Sequence, residues 1–388
     1  MSCRYLKIED FCSTGSGGTP SRSKPEYYEG GDIPWIKSGD LKDLKIYEAN
    51  EYITAAGLEN SSAKIVEKDS ILIAMYGATV GRLAILGINA ATNQAICNIR
   101  PDTTIADMKY LYYFLKSKFS YFVENAVGGA QPNISQGLIK SLEVPLPSLD
   151  EQKRIADILD KAAGVCQKRE QAIKLADDFL RAKFLEMFGT PANNIHRFPK
   201  GTIRDLVDSV NYGTSAKASI DSGEYPILRM GNITYQGRWD FTDLKYLDLS
   251  VKEKDKYLVK EGDLLFNRTN SKELVGKTAV YEEDRPMAFA GYLIRVRPNS
   301  IGNNYYISGY LNSIHGKITL MNMCKSIVGM ANINAQELQN IEILIPPKHL
   351  QDEYEIIYKK IKKGLSIYDK SAMQLQLLAS NLSNKYFM

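Results

Sequence analysis

The second half of this chain repeats the first, and a duplication constrains architecture more firmly than any single motif, because it demands a unit that folds twice. Pro34-Trp35-Ile36-Lys37-Ser38-Gly39-Asp40-Leu41 returns as Pro226-Ile227-Leu228-Arg229-Met230-Gly231-Asn232-Ile233. The echo keeps the proline, an apolar pair, a base, a glycine and a final aliphatic. Each copy follows a Gly-Thr pair, Gly18-Thr19 and Gly213-Thr214. Further matches come in the same order. Ile71-Leu72-Ile73 with Val80-Gly81-Arg82 answers to Leu264-Leu265-Phe266 with Val275-Gly276-Lys277, and Asn98-Ile99-Arg100-Pro101 to Arg295-Val296-Arg297-Pro298. Val127-Gly128 with Asn133-Ile134 answers to Val328-Gly329 with Asn332-Ile333, and Leu146-Pro147 to Ile345-Pro346. The pattern predicts a strand-rich domain followed by a helix, made twice.

After each closing proline, short apolar runs and Gly/Asn turns give way to a long charged stretch of helical period. In the second copy Ile361, Leu365, Tyr368, Ala372, Leu375, Ala379, Leu382 and Tyr386 alternate in steps of four and three, which is a heptad seam. In the first, Leu159, Ala162, Cys166, Ile173, Ala176, Leu180 and Met187 hold the same register, interrupted at Arg169. That helix should end at Gly189, with Pro191 beyond. A single apolar stripe needs a partner, so the helices are expected to pack on each other as an antiparallel or crossing pair rather than each on its own domain. At about 57 Å, such a helix exceeds the width of a small domain.

Hydrophobic residues at 44% and charged residues at 24% over 388 residues exclude disordered and fibrous classes. No apolar run reaches membrane-spanning length, and the start MSCRYLKIEDFC carries no leader-like core, so a cytoplasmic chain is expected. Five scattered cysteines without a CxxC and three distant histidines argue against structural zinc. A net charge of +4 suits a polyanionic partner without requiring one.

Catalytic signatures fail one by one. Gly15-Ser16-Gly17-Gly18 lacks the pattern of a phosphate loop, no Gly-x-Ser-x-Gly elbow occurs, and Asp40-Leu41-Lys42 and Asp243-Leu244-Lys245 are too common to mark a nuclease. The only Pro-Pro, Pro346-Pro347, precedes a lysine and not the aromatic that grips a flipped base. The repeated loops instead carry bases, amides and hydroxyls suited to phosphates and base edges. In the first copy the candidate DNA contacts are Thr19, Ser21, Arg22, Lys24, Lys37, Tyr76, Thr79, Arg82, Gln94, Gln131 and Asn133. In the second they are Thr214, Ser215, Lys217, Arg229, Asn267, Arg268, Asn270, Lys277 and Asn332. Two similar modules on a helical spacer would read two half-sites. Because Tyr76-Gly77-Ala78-Thr79 is replaced by the longer Arg268-Thr269-Asn270-Ser271-Lys272-Glu273-Leu274, the half-sites should differ.

Through Gly17-Gly18-Thr19-Pro20-Ser21 with Tyr27-Tyr28, Ile33-Pro34-Trp35-Ile36, Ala74-Met75-Tyr76-Gly77-Ala78-Thr79-Val80-Gly81 and Pro145-Leu146-Pro147 with Glu151-Gln152-Ile155, the chain resembles the specificity subunits of type I restriction-modification systems. Asp263-Leu264-Leu265-Phe266-Asn267-Arg268 and Ile345-Pro346-Pro347 look like variants of the same pattern. The resemblance implies an α+β chain of two tandem small mixed α/β target recognition domains, separated by two long helices packed as an antiparallel coiled coil, with pseudo-two-fold duplication. The expected boundaries are 1–149 and 190–348 for the domains, 150–189 and 349–388 for the helices. It also implies a non-catalytic subunit that binds double-stranded DNA and directs adenine methylation or restriction. Two modification subunits would bring S-adenosylmethionine and restriction subunits ATP and Mg, this chain holding none of them. Partner binding and helix pairing then fall to Glu151, Gln152, Ile155, Leu159, Ile173, Leu180, Ile361, Leu365, Tyr368, Leu375 and Leu382. One departure stands out: the second helix opens His349-Leu350-Gln351-Asp352-Glu353-Tyr354 where the family usually keeps Glu-Gln, which bears only on how equivalent the two partner-docking surfaces are. Competing expectations are a self-contained nuclease or methyltransferase with two nucleic-acid-binding domains, and a scaffold that binds no DNA.

Overall fold

The computed structural model describes residues 4–42, 45–129, 131–271, 274–324 and 331–387, with the side chains of 367–372 excepted. Val328-Gly329 of the repeat and the seam positions Tyr368 and Ala372 lie outside what is described. Contacts divide the chain into two units, residues 1–168 with 370–388 and residues 169–369.

The first unit is built on strands β1 (Cys12–Ser16), β2 (Ile71–Ala74), β3 (Leu83–Leu86) and β4 (Ile96–Pro101), hydrogen-bonded in the order β1-β4-β2-β3 with Lys45–Ile46 beyond β3. The second repeats that order with β5 (Val207–Tyr212), β6 (Leu264–Asn267), β7 (Thr278–Val280) and β8 (Leu293–Pro298), paired β5-β8-β6-β7. The strand β2 reads as an unbroken apolar run, and β6 as one up to its closing Asn267, because both faces are covered. Ile71 and Ile73 face one core with Cys97 and Ile99, while Leu72 and Ala74 face another with Ala84 and Leu86. In the second unit Leu264 and Phe266 divide from Leu265 in the same way.

Each unit adds a smaller mixed sheet. Ile33–Ile36 runs parallel to Ala90–Thr92 and antiparallel to Glu51–Ile53, and Tyr225–Leu228 runs parallel to Ala288–Phe289 and antiparallel to Lys245–Leu247. One face of each central sheet is covered by a helix, α1 (Met108–Ser117) in the first unit, and its counterpart Asn304–Asn312 in the second. Asp107 caps α1 by accepting from the Tyr110 N–H, and Asn303 caps the counterpart at the Tyr305 N–H. The hydroxyls of Tyr110 and Tyr306 donate to the carbonyls of Pro145 and Leu344, at 2.6 and 2.7 Å. Such agreement in detail is what a duplicated fold requires.

The long helices are α2 (Leu149–Phe188) and α3 (Lys348–Phe387). Helix α2 stops where expected: Gly189 takes φ +67, a conformation that favours glycine, and its N–H bonds to the Leu185 carbonyl. Each unit holds half of both helices. In the first, Ile155, Ala156 and Leu159 of α2 share a core with Ala379, Leu382, Tyr386 and Phe387 of α3 and with Tyr110 and Phe114 of the domain. In the second, Phe184 and Phe188 pack on Tyr354 and on Tyr306. Within each unit the helix halves therefore run antiparallel and also dock on a domain. The expected choice between mutual packing and docking was not a choice, because a helix of this length has surface enough for both. Among the described residues no helix is long and apolar enough to cross a membrane.

Candidate nucleic-acid interface

In each unit one edge of the central sheet gathers the loops that the sequence singles out. Ser16 lies opposite Cys97 and Ala74 opposite Ile96 in the first unit, Tyr212 opposite Ile294 and Asn267 opposite Leu293 in the second. The chain leaving and re-entering the sheet there is 17–24, 75–82 and 92–95 in one copy, and 213–217, 268–277 and 289–292 in the other.

The same backbone bonds hold both edges. Met75 donates to the Ala95 carbonyl and accepts from the Ile134 N–H, at 2.7 and 2.9 Å; Arg268 donates to Tyr292 and accepts from Ile333, at 3.0 and 2.9 Å. Gly18 N–H bonds to the Thr92 carbonyl at 2.8 Å, and Thr214 N–H to that of Phe289 at 2.9 Å. A Cβ on Gly17 would stand 1.9 Å from the Thr92 carbonyl oxygen, and one on Gly213 2.3 Å from that of Phe289. Only glycine permits that approach. The structural register therefore pairs Gly17 with Gly213 and Gly18 with Thr214, one residue away from the Gly-Thr match expected from sequence; the glycine that must be kept is the one against a carbonyl.

On this framework the first copy exposes Thr19, Gln94, Tyr76 and Gln131. The Thr19 hydroxyl donates to the Gln94 side chain, and Thr79 Oγ1 donates to the Tyr76 carbonyl at 2.9 Å. Tyr76 is 45% exposed and its backbone bridges Asn133. Arg22, Lys24 and Lys37 are engaged within the unit. Glu51 pairs with both Arg22, at 2.6 Å, and Lys37, and Lys24 donates to Tyr27 Oη at 3.0 Å. The Arg22 guanidinium also lies over Tyr28 and Trp35. Those two cations hold the Glu51 carboxyl below its usual range, the Lys37 bond leading. Ser21 Oγ lies 2.8 Å from Ser23 Oγ. Arg82 is exposed beside Lys116 and Phe119.

The second copy sorts differently. Ser215, Lys217 and Asn332 are exposed and Arg268 and Asn270 half-buried, with Thr269 Oγ1 donating to Asn332 Oδ1 at 3.4 Å. Arg229 is drawn aside by Asp243 at 2.8 Å. Thr214, Asn267 and Lys277 lie inside the unit and not on its surface. Lys277 Nζ donates to the Met230 carbonyl at 2.9 Å, and burial pulls its ammonium below the usual lysine value. Two tyrosines outside the sequence candidates, Tyr292, which is 56% exposed, and Tyr212, stand at the same end of the sheet. Tyr292 lies just before β8, where the first copy has Ala95.

The helix candidate Gln152 and Gln351 of the second helix start are equivalent and buried, 1% and 0% exposed. Gln152 Nε2 donates to the carbonyls of Ile105 and Pro147, and Gln351 Nε2 to those of Ile301 and Pro346. Both clamp a helix start onto its domain, so the described contacts of Gln152 lie within its own unit. The departure from Glu-Gln is thus confined to Leu350 in place of Glu151. Glu151 holds Arg154 through two bonds and accepts from Tyr386 Oη; the Arg154 bonds draw its carboxyl down to about 2. Ile155, Leu159 and Leu382 pack in the first core. Leu180, Ile361 and Leu365 line one cavity of the second unit with Arg238 and Trp239. Ile173 and Leu375 are half-buried.

A family described as the type I restriction modification DNA specificity domain matches residues 4–175 and again 198–379. The chain belongs to that family. The two matches restate the duplication, each spanning one domain and most of the helix after it. Within the family, the MjaIX specificity subunit of Methanocaldococcus jannaschii is 24% identical over 405 residues, covering 98% of this chain and 91% of that one. The EcoR124I/EcoR124II specificity subunit of Escherichia coli is 33% identical over 150 residues, which span 37% of each chain. Among solved structures, the type I restriction-modification S subunit of M. genitalium superposes with a TM-score of 0.65 at 15% identity, over 100% of this chain and 96% of that one. At that identity the likeness speaks for the two-domain, two-helix fold alone.

Proposed function

We propose that this chain is the sequence-specific DNA-recognition subunit of a type I restriction-modification complex. It reads a bipartite target, one half-site per unit, and directs adenine methylation or restriction by partner subunits. The observation that carries this reading is one hydrogen-bonded sheet edge built twice with different side chains on it: Met75, Tyr76 and Ala95 in one copy, Arg268, Thr269 and Tyr292 in the other. A shared backbone with unlike side chains is what two unlike half-sites call for. The chemistry belongs to partners: two modification subunits carry S-adenosylmethionine, and restriction subunits carry ATP and Mg, while this chain holds no cofactor and works in the cytoplasm. The target adenine must leave the duplex for a partner's pocket, so binding includes DNA distortion.

The test is single-molecule mapping of methylated adenine in cells expressing this chain with its cognate modification subunit, against cells expressing the modification subunit alone. A bipartite motif with one modified adenine per strand is expected only when this chain is present. Assembly without a new motif sinks the reading, and turnover by the purified chain alone favours an enzyme instead. Binding of the assembled complex should also weaken steeply with salt.

A further inference from the structure

Resting on the DNA-recognition reading, we propose that Arg268 reads a guanine in the half-site bound by the second unit. The position is defined by the shared framework: the residue just past the second central strand, tied by its N–H to the residue before the fourth strand and by its carbonyl to the segment after. In the first unit Met75 occupies it, 3% exposed in an apolar core. A guanidinium at the same place gains nothing from that core. Among the described residues its buried Nε has no hydrogen-bond partner, so nothing described in the unit holds this guanidinium by a hydrogen bond at Nε.

Three further observations give that arginine a direction. Its guanidinium lies 4.9 Å over the Tyr212 ring, and Tyr212 is itself anchored, its hydroxyl accepting from the Ala335 N–H at 2.9 Å. The guanidinium is therefore held against a fixed ring. Among the described residues no carboxylate pairs with Arg268, whereas Arg22 and Lys37 are held by Glu51 and Arg229 by Asp243. A planar fork with no carboxylate partner among the described residues fits a planar edge offering two acceptors side by side. In the major groove that edge is guanine N7 and O6; adenine sets a donor beside N7, and the pyrimidines lack the pair.

The experiment compares the methylated-adenine motif of cells carrying the wild-type chain, Arg268→Met and Arg268→Lys, each with the modification subunit. Expected for Arg268→Met is about a tenfold or greater loss of preference at one guanine of one half-site, with the other half-site unchanged; Arg268→Lys keeps part of the preference. The assignment is overturned by an unchanged Arg268→Met motif, by relaxation at a position that is not guanine, or by half-sites without guanine. Should Arg268→Met abolish methylation altogether, the wild-type complex is measured on duplexes with 7-deazaguanine at each guanine of the wild-type motif in turn. Binding weakened about tenfold at one of them supports the contact, and equal affinity at all of them overturns it. A wild-type complex that yields no motif fails the recognition reading itself, and this assignment with it.

Discussion

The two buried glutamines should differ in what they contribute, although they occupy the same place. Gln152 makes three bonds: Nε2 donates to Ile105 O at 3.1 Å and Pro147 O at 2.9 Å, and Oε1 accepts from the Asp107 N–H at 2.9 Å. Gln351 makes the two donor bonds, but among the described residues its buried Oε1 has no partner. Replacement by the similarly sized methionine removes every bond and leaves the backbone groups unmet, at about 1 kcal/mol per bond. Gln152→Met should then cost about 3 kcal/mol. Gln351→Met should lose about 2 kcal/mol and regain about 1 kcal/mol by removing an unsatisfied oxygen. The gap of about 2 kcal/mol corresponds to about 4–8 °C in the melting of a unit of this size. Calorimetry of the whole chain, with urea midpoints as a cross-check, measures both variants. Gln351→Met as damaging as Gln152→Met would refute the accounting and mean that the clamp acts through packing rather than through counted bonds.

Other perturbations have equally definite outcomes. Phe387→Ala empties a site 3% exposed against Tyr110 and Phe114 and should cost about 3–5 kcal/mol in thermal unfolding. Gly309→Ala places a Cβ 2.6 Å from the Phe184 ring and 2.9 Å from that of Tyr354, so overpacking of about 1–3 kcal/mol is expected in urea titration. Burial lowers the Lys317 ammonium to about 8 from its ordinary 10.5. Between those values the unfolded chain binds the extra proton, so stability should rise with pH across that window. In urea titrations at successive pH values, Lys317→Met should flatten that rise; an identical slope in wild type and variant would contradict it.

Much of this protein was legible in one dimension because the signals are local. The β2 strand is an apolar run and β6 one as far as Phe266, α2 stops at a glycine, and the heptad seams place Leu159 and Leu382 in a packed core. The family pattern adds the two-domain plan. What a linear reading could not supply is the destination of side chains whose neighbours are distant in sequence. Phe188 and Phe387, at the ends of the seams, enter the domain cores beside Tyr306 and Tyr110. Lys277 and Asn267 look like base readers on a loop, yet strand pairing turns them inward.

The sequence by itself determined the duplication, the two long helices and the set of loops proposed to carry recognition, since periodicity and turn chemistry act over a few residues. Only the tertiary structure decided which residues of those loops remain available. It moved the glycine register by one, buried both helix-start glutamines, tied Arg22, Lys37 and Arg229 to carboxylates and set Arg268 where the other copy has Met75. The reason is physical: a charged or amide side chain reads the same in a sequence whether it meets water, a carboxylate or a carbonyl, and long-range pairing of strands makes that choice.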